Sequence, residues 1–320
     1  MGRVVSLGSI NVDGVWRASE AEIAALADRY DWFPERGQTV RVEDIPEGFA
    51  GDPDRTFHGG KGANQAVAAA SAGAETTLLG KVGPDHGRYG VLDALSGAGV
   101  GVDRVGRSPE PTGRAYVFVG PDGDNWIVVR AGANGDVDRA YVRAQYDAIL
   151  AADCLLLQNE IPVDPVADLL SELASEPDRP TVVLDPAPAA GAGDLLGHGT
   201  VDYLTPNERE YEALGAALDA FDGTLVRKHG SEDVVVETDD GGRFAVTPPR
   251  VRPVDTTGAG DVMEGFLGAR LAAGDDLIEA VGTAVVAASL STREEGARGG
   301  IPTLDEVRAF RAEADPERGE

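Results

Sequence analysis

The run Asp255-Thr256-Thr257-Gly258-Ala259-Gly260-Asp261 leads straight into Val262-Met263-Glu264-Gly265-Phe266-Leu267, a stretch of helical composition. Glycines at a helix start let the backbone come close to a ligand. The unpaired amides of the first turn, with the positive end of the helix dipole, make an anion site. Gly258, Ala259 and Gly260 supply such amides. Asp261 stands beside them, where a carboxylate can take the proton of a hydroxyl as it attacks a phosphorus held on the loop. The plain alternative is that glycines and an acid simply start a helix well.

A second Gly-rich run, Gly59-Gly60-Lys61-Gly62-Ala63-Asn64-Gln65, also opens a helix. It has neither the Walker A spacing nor the dinucleotide pattern G-x-G-x-x-G. An amine and an amide beside a close backbone approach suit hydrogen bonding to a polyhydroxylated ligand. Two polar clusters follow apolar runs: Ser9-Ile10-Asn11-Val12-Asp13, and Gln158-Asn159-Glu160. Strand ends of this kind line the ligand edge of open parallel sheets, and isolated acids there also serve as caps or solvated turns. Thr205-Pro206-Asn207-Glu208-Arg209-Glu210 opens a helix with Asn207 and Glu210 on one face; the same spacing makes a capping box. His58, His86, His198 and His229 lack paired metal-ligand spacing.

The elements that must hold these segments together alternate almost from end to end. Val4 to Leu7, Thr77 to Leu79, Cys154 to Leu157, Val182 to Leu184, Tyr203 to Leu204 and Leu225 to Val226 read as short buried strands. Ala63 to Ala72, Val137 to Leu150, Pro165 to Ala174 and Asn207 to Leu214 read as helices. That rhythm predicts an α/β fold with a mostly parallel sheet and helices on both faces, three layers in all. Gly113 to Val129 breaks it with a hairpin around Gly120-Pro121-Asp122-Gly123-Asp124, and Gln38 to Phe57 is also extended. Together they suggest a small antiparallel β lid from segments 12–57 and 112–130. Ala18 to Tyr30 is helical in composition. The expectation is one domain over 1–320, with 313–320 a frayed tail.

Fifty-five carboxylates against 28 Lys plus Arg leave a formal charge of −27. No nucleic acid and no membrane surface is an expected partner, because each demands a basic patch. Only Lys61, Lys81 and Lys228 are lysines, so the other 25 basic residues are arginines. Acid spread over the chain with lysine nearly absent suits a protein working in concentrated salt, where screening shortens to about 3 Å at 1 M. The lone Cys154 lies in an apolar run and reads as a buried structural thiol. No run spans a bilayer, and the expected location is the cytoplasm.

Taken in order, six segments resemble the ribokinase-like, PfkB-type carbohydrate kinases, and most closely the ribokinase branch. They are Gly8 to Asp13, Gly59 to Ala68, Gln158-Asn159-Glu160-Ile161-Pro162, Asp185-Pro186-Ala187-Pro188-Ala189, Thr205-Pro206-Asn207-Glu208 and Asp255 to Asp261. The resemblance implies ATP-dependent phosphorylation of a sugar hydroxymethyl group, with Asp261 as base and the Gly258, Ala259 and Gly260 amides on the transferred phosphoryl group. It implies Asn11, Asp13, Gly60, Lys61, Asn64 and Glu160 around the sugar, and Asn207, Lys228, Gly230 and Ser231 along the nucleotide. Glu210 would reach Mg²⁺ through water, and Asp255 would mark a site for potassium.

Several features depart from that pattern. Trp16 to Pro34 lengthens the connection into the lid, and Gly300 stands where ribokinases commonly carry a serine near the cation, which leaves K⁺ use open. Arg114, Arg130 and His58 crowd the sugar end with cations, and an unpaired buried charge is costly. An already phosphorylated acceptor such as ribose 1-phosphate is therefore the alternative reading, ahead of a nucleoside and of a binding-only regulator. The lid's strand edges suggest a homodimer.

Overall fold

A computed structural model describes residues 1–46 and 48–314. Nine strands form the main sheet in the order Arg243–Val246, Val234–Glu237, Thr224–Arg227, Tyr203–Leu204, Thr181–Asp185, Cys154–Gln158, Arg3–Leu7, Glu75–Leu79 and Val100–Gly101. All neighbours run parallel except the two pairs made by Val234–Glu237, which are antiparallel. Side chains alternate across a strand, and the sheet uses both faces. Val4, Cys154, Leu156 and Val183 join a core with helices Ala259–Ala272 and Leu277–Ser291. Val5, Leu7, Leu155, Leu157, Val182 and Leu184 face the opposite core, under helix Val163–Leu173. Cys154 is fully buried in the first of these layers, and burial pushes its thiol far above the ordinary range.

Helix Lys61–Ser71 lies against Ala259–Ala272 through glycine contacts. A Cβ on Gly265 would stand 2.5 Å from Ala68 Cβ and from Gln65 O, so the two helices approach at backbone distance. That approach brings the starts of both helices together at the carboxyl edge of the sheet.

The smaller sheet has five strands in the order Thr39–Val42, Asn125–Arg130, Arg114–Val119, Asn11–Arg17 and Arg55–Gly59. Its hairpin pair and its pair with Arg55–Gly59 are antiparallel, whereas the other two pairings run parallel. The chain reaches it directly from strand Arg3–Leu7 through Gly8, Ser9 and Ile10. One face is covered by the long connection: helix Glu20–Arg29, held by a Ser19–Glu22 capping box, and the aromatic run after it bring Ile23, Tyr30 and Phe49 onto Phe118, Trp126 and Val128.

The structure changes two expectations here. Val137–Leu150 is not one helix. Asp138 caps Arg139–Ala144, and the chain breaks at Gln145 before Tyr146–Leu150. The C-terminal helix Leu304–Ala314 runs into the segment expected to fray, and 315–320 lie outside the described residues. Among the described residues no helix is long and apolar enough to cross a membrane.

Candidate active site

Asp261 is the third residue of helix Ala259–Ala272, after Gly258 at φ 78°, and only 4% of it is exposed. A Cβ on Gly258 would meet Ala297 at 2.8 Å, so this turn requires glycine for conformation and for space. The two Gly-rich runs converge on the carboxylate. Asn64 Nδ2 donates to Asp261 Oδ2 at 2.8 Å, and Lys61 Nζ lies 3.3 Å from Oδ1. Burial pushes the Asp261 carboxyl up; Lys61 and the Asn64 amide pull against it, while Asp185 and Glu160 add to the rise. The result is a desolvated carboxylate with two donors in place, suited to accepting a proton.

Lys61 bridges Asp261 to Asp185, 2.9 Å away at the end of strand Thr181–Asp185. Lys228 completes a network of five charges: its ammonium contacts Glu264 Oε1 at 2.5 Å and Asp185 Oδ1 at 3.5 Å, and Thr205 Oγ1 donates to the same Glu264 oxygen. Burial drives Glu264 upward against the pull of Lys228. Burial would also raise Asp185, but Lys228 and Lys61 hold it below its ordinary range. Ligand oxygens of Asp185, Asp261 and Glu264 fall within 4.8 Å of one another. Two ammonium groups already sit among them, so the cluster is an ion-pair network. Lys228 also stands beside the open face of Gly260, 3.6 Å from where a Cβ would be, which puts its charge at the anion loop.

Asp13 and Glu160, expected at the sugar, lie close enough to Asp261 to act on its charge. Asp13 projects from strand Asn11–Arg17 with Oδ1 lacking a hydrogen-bond partner, and its carboxyl is pushed up to about 7, first by desolvation and then by Glu160. A Cβ on Gly59 would strike the Asp13 carboxylate at 1.9 Å, and one on Gly60, at φ 89°, would lie 2.7 Å from Asn11 N and Ser9 O. Both glycines are therefore dictated by close approach. Glu160 accepts from Ser9 Oγ and from the Lys61 amide. Asn11 Oδ1 accepts from Asn134 Nδ2, while Asn134 Oδ1 receives the Ile10 amide.

The remaining sequence candidates have other surroundings. Asn207 and Glu210 do form the capping box: Glu210 N donates to Asn207 Oδ1, and Asn207 N to Glu210 Oε2, at 2.9 and 2.8 Å. The Asn207 backbone bridges to Lys228, which ties this helix start to the network. Gly230 and Ser231 are exposed in the turn beyond Lys228. Asp255 accepts from the Thr257 amide at Oδ1 and from the Gly296 amide at Oδ2. A Cβ on Gly300 would lie 2.2 Å from Ser291 O, so a serine does not fit there without backbone movement. Arg130 pairs with Glu110 at 3.0 Å and Asp44 at 3.7 Å. Arg114 lies over the rings of Trp16, Tyr89 and Tyr116, and His58 Nε2 contacts Tyr89 O.

Sequence reasoning missed the site roles of Asp185, Glu264, Asn134 and Arg298. Glu264 left a signal, an acid inside the apolar run Val262 to Leu267. Arg298 left a weaker one, a lone cation among glycines. It now donates from Nε to Asn64 Oδ1 and from Nη2 to Gly59 O, both at 2.8 Å.

A Gly-rich helix start, a buried carboxylate in its first turn and a cluster of polar side chains between it and a second small sheet fit a phosphotransferase-type site on a three-layer α/β fold. The chain belongs to the pfkB family of carbohydrate kinases, whose family model matches residues 50–304. It is 38% identical over 290 residues to the ribokinase of Bacillus subtilis, covering 87% of this chain and 92% of that one. The ribokinase structure of Thermotoga maritima superposes with a TM-score of 0.77 at 28% identity, covering 97% of this chain and 99% of that one. The structure of Arabidopsis thaliana ribokinase complexed with ribose and ATP gives 0.72 at 27% identity, with 97% and 98% covered.

Proposed function

We propose that this protein transfers the γ-phosphoryl group of ATP to a hydroxymethyl group of a small neutral sugar, ribose or a close relative. The observation that carries the reading is Asp261, desolvated and held by Lys61 and Asn64 in the first turn of helix Ala259–Ala272, just after the Gly258 turn. The sugar oxygen attacks the γ-phosphorus, its proton passes to an Asp261 oxygen, and the bond to the ADP oxygen breaks. The loop amides of Gly258 and Gly260, with Lys228, offset charge growing on the phosphoryl oxygens; the Ala259 amide, expected to join them, donates to Thr256 O at 3.3 Å within the turn. Asp13 and Glu160 accept from sugar hydroxyls while Lys61 and Gly60 bound the pocket. Gly230 and Ser231 would flank the nucleotide. The smaller sheet acts as a lid that excludes water.

Mg²⁺ bound with ATP would neutralise the β- and γ-phosphates. Asn207 and Glu210 fit it through water, since Glu210 commits one oxygen to its cap. The neutral acceptor is favoured because Arg130, one of the cations that suggested a phosphorylated one, is matched by Glu110 and Asp44; Arg114 lies over aromatic rings without a carboxylate partner among the described residues and is the cation a phosphorylated acceptor would have to use. With ATP and Mg²⁺ in molar KCl, ADP formation should give ribose a kcat/KM at least about tenfold above ribose 1-phosphate and above a nucleoside. The reverse order would overturn the neutral-sugar reading.

The proposal extends to a cytoplasmic protein of a salt-rich interior. An excess of 27 negative charges repels itself over about 10 Å at 0.1 M salt and about 3 Å at 1 M. Thermal melts should therefore rise with KCl toward molar concentration, and equal melting at low and high salt would refute this. Running the same series in NaCl separates general screening from a K⁺ site near Asp255: equal rates in both salts would remove that site. A homodimer through the smaller sheet's outer strands, Thr39–Val42 and Arg55–Gly59, is part of the same proposal.

A further inference from the structure

We infer that Arg298 is a positioning residue for the phosphoryl-transfer base: through Asn64 it fixes the orientation of Asp261 and supplies a fixed positive charge on the base's sugar side. The inference rests on the reading of Asp261 given above. Its geometry is a relay of two hydrogen bonds. Arg298 Nε donates to Asn64 Oδ1 at 2.8 Å, and Asn64 Nδ2 donates to Asp261 Oδ2 at 2.8 Å. A guanidinium has only donors, so it can hold nothing but the carbonyl end of the Asn64 amide. The amide NH₂ is thereby turned toward the carboxylate, and the flip that would set two acceptors against each other is excluded.

The second arm of the guanidinium reaches Gly59 O at 2.8 Å, on the edge strand of the smaller sheet. Its loop makes two more contacts there. Arg55 pairs with Glu295, and a Cβ on Gly296 would lie 3.0 Å from the Phe57 ring. One loop thus clasps the strand that covers the sugar pocket and, through Arg298, sets the base beneath it. Coupling of cover and base follows from the bond pattern, because one rigid fork makes both contacts.

The charges around Asp261 come from every side. Lys61 is on helix Lys61–Ser71, Asp185 ends a strand, Glu160 follows another, Glu264 shares the helix, and Asp13 faces from the smaller sheet. Arg298 is pulled down to about 10 by burial, with Asp13 and Asp261 opposing the fall, so it remains a cation at neutral pH. Deleting this cation from an acid-rich site makes ionised Asp261 harder to maintain.

The test compares wild type, Arg298→Gln and Arg298→Lys as folded full-length protein in molar KCl, measuring kcat, KM for ribose and the acid limb of the kcat profile. Arg298→Gln should lower kcat about tenfold or more and move the acid limb upward by about half a unit or more. Arg298→Lys keeps the charge without the fork, so it should lose kcat by several-fold while the limb stays in place. An unmoved limb in Arg298→Gln, or wild-type kcat in either variant, would overturn the proposal. If Arg298→Gln does not fold, unchanged kcat in Arg298→Lys would still overturn it, and reduced kcat with an unmoved limb would support it. A wild-type enzyme inactive on sugars would instead defeat the kinase reading itself, so the two failures are distinguishable.

Discussion

Asp261→Asn should slow turnover by about 10³-fold or more while leaving sugar and nucleotide binding within a few-fold of wild type; removal of a positioned general base typically costs 10²–10⁴. The substitution is nearly isosteric, and the surroundings tolerate it. Asn64 can still donate to the new amide oxygen, and Lys61 keeps Asp185 at 2.9 Å. What disappears is the buried carboxylate in the first turn of helix Ala259–Ala272. The sugar hydroxyl then has nowhere to place its proton as the phosphorus–oxygen bond forms. ADP release under saturating substrates and calorimetric titration with ribose together check this. A loss smaller than tenfold would mean that another group takes the proton.

Asp13→Asn should weaken sugar binding and strengthen the fold at the same time. A carboxylate accepting from a sugar hydroxyl makes a charge-assisted bond of roughly 1.5–3 kcal/mol, so KM should rise about 10- to 100-fold with a smaller change in kcat. The stability effect has a definite sign. The Asp13 carboxyl is raised from 3.8 to about 7 in the folded protein, so between these values the native state keeps a proton that the unfolded chain has lost. Stability therefore falls as pH rises through that window, and the full cost is present above pH 7. By linkage that cost is at most about 4 kcal/mol, since one unit corresponds to about 1.4 kcal/mol. Asp13→Asn should melt several degrees above wild type at pH 8 and close to it at pH 4. Equal melting of the two at pH 8 would show that the carboxylate is not strained by its pocket. Together the two results would show an acid whose strain in the fold is stability given up for binding.

Much of the architecture was legible because it is local. Short apolar runs such as Cys154 to Leu157 are buried on both faces, and a strand covered on both faces has no polar alternation to hide it. The hairpin at Gly120 to Asp124 and the helix starts at Gly60 and Gly258 announced themselves through residues that only tight turns need. Other elements escaped because nothing local marks them. The break at Gln145 leaves no glycine or proline behind, and Val234–Glu237 with the edge strand Arg243–Val246 form the antiparallel end of the sheet, where pairing is fixed only by their neighbours.

The candidate site divides in the same way. Asp261, Lys61 and Asn64 stood out because Gly-rich helix starts constrain what can sit there, whereas a strand-end acid such as Glu160 reads equally as a cap and joined them only through the family resemblance. Asn207 and Glu210 fitted a cap and a ligand-binding face equally well by spacing, and the structure shows the cap. Arg114 and Arg130 looked alike as cations beside a pocket, yet one stacks on rings and the other pairs with Glu110. A charge's role depends on its partners, and these come from distant parts of the chain.

The sequence by itself determined the alternation of layers, the two helix-start loops, the acid that follows one of them and the acidity that any partner must tolerate. Only the tertiary structure decided that Asp185, Lys228 and Glu264 close an ion-pair network behind Asp261, and that Arg298 reaches across 234 positions to hold Asn64. The first set follows from backbone geometry within a few residues. The second follows from which side chains two helices, two strand ends and the loop carrying Arg298 bring within 4 Å, a distance that spacing along a chain does not encode.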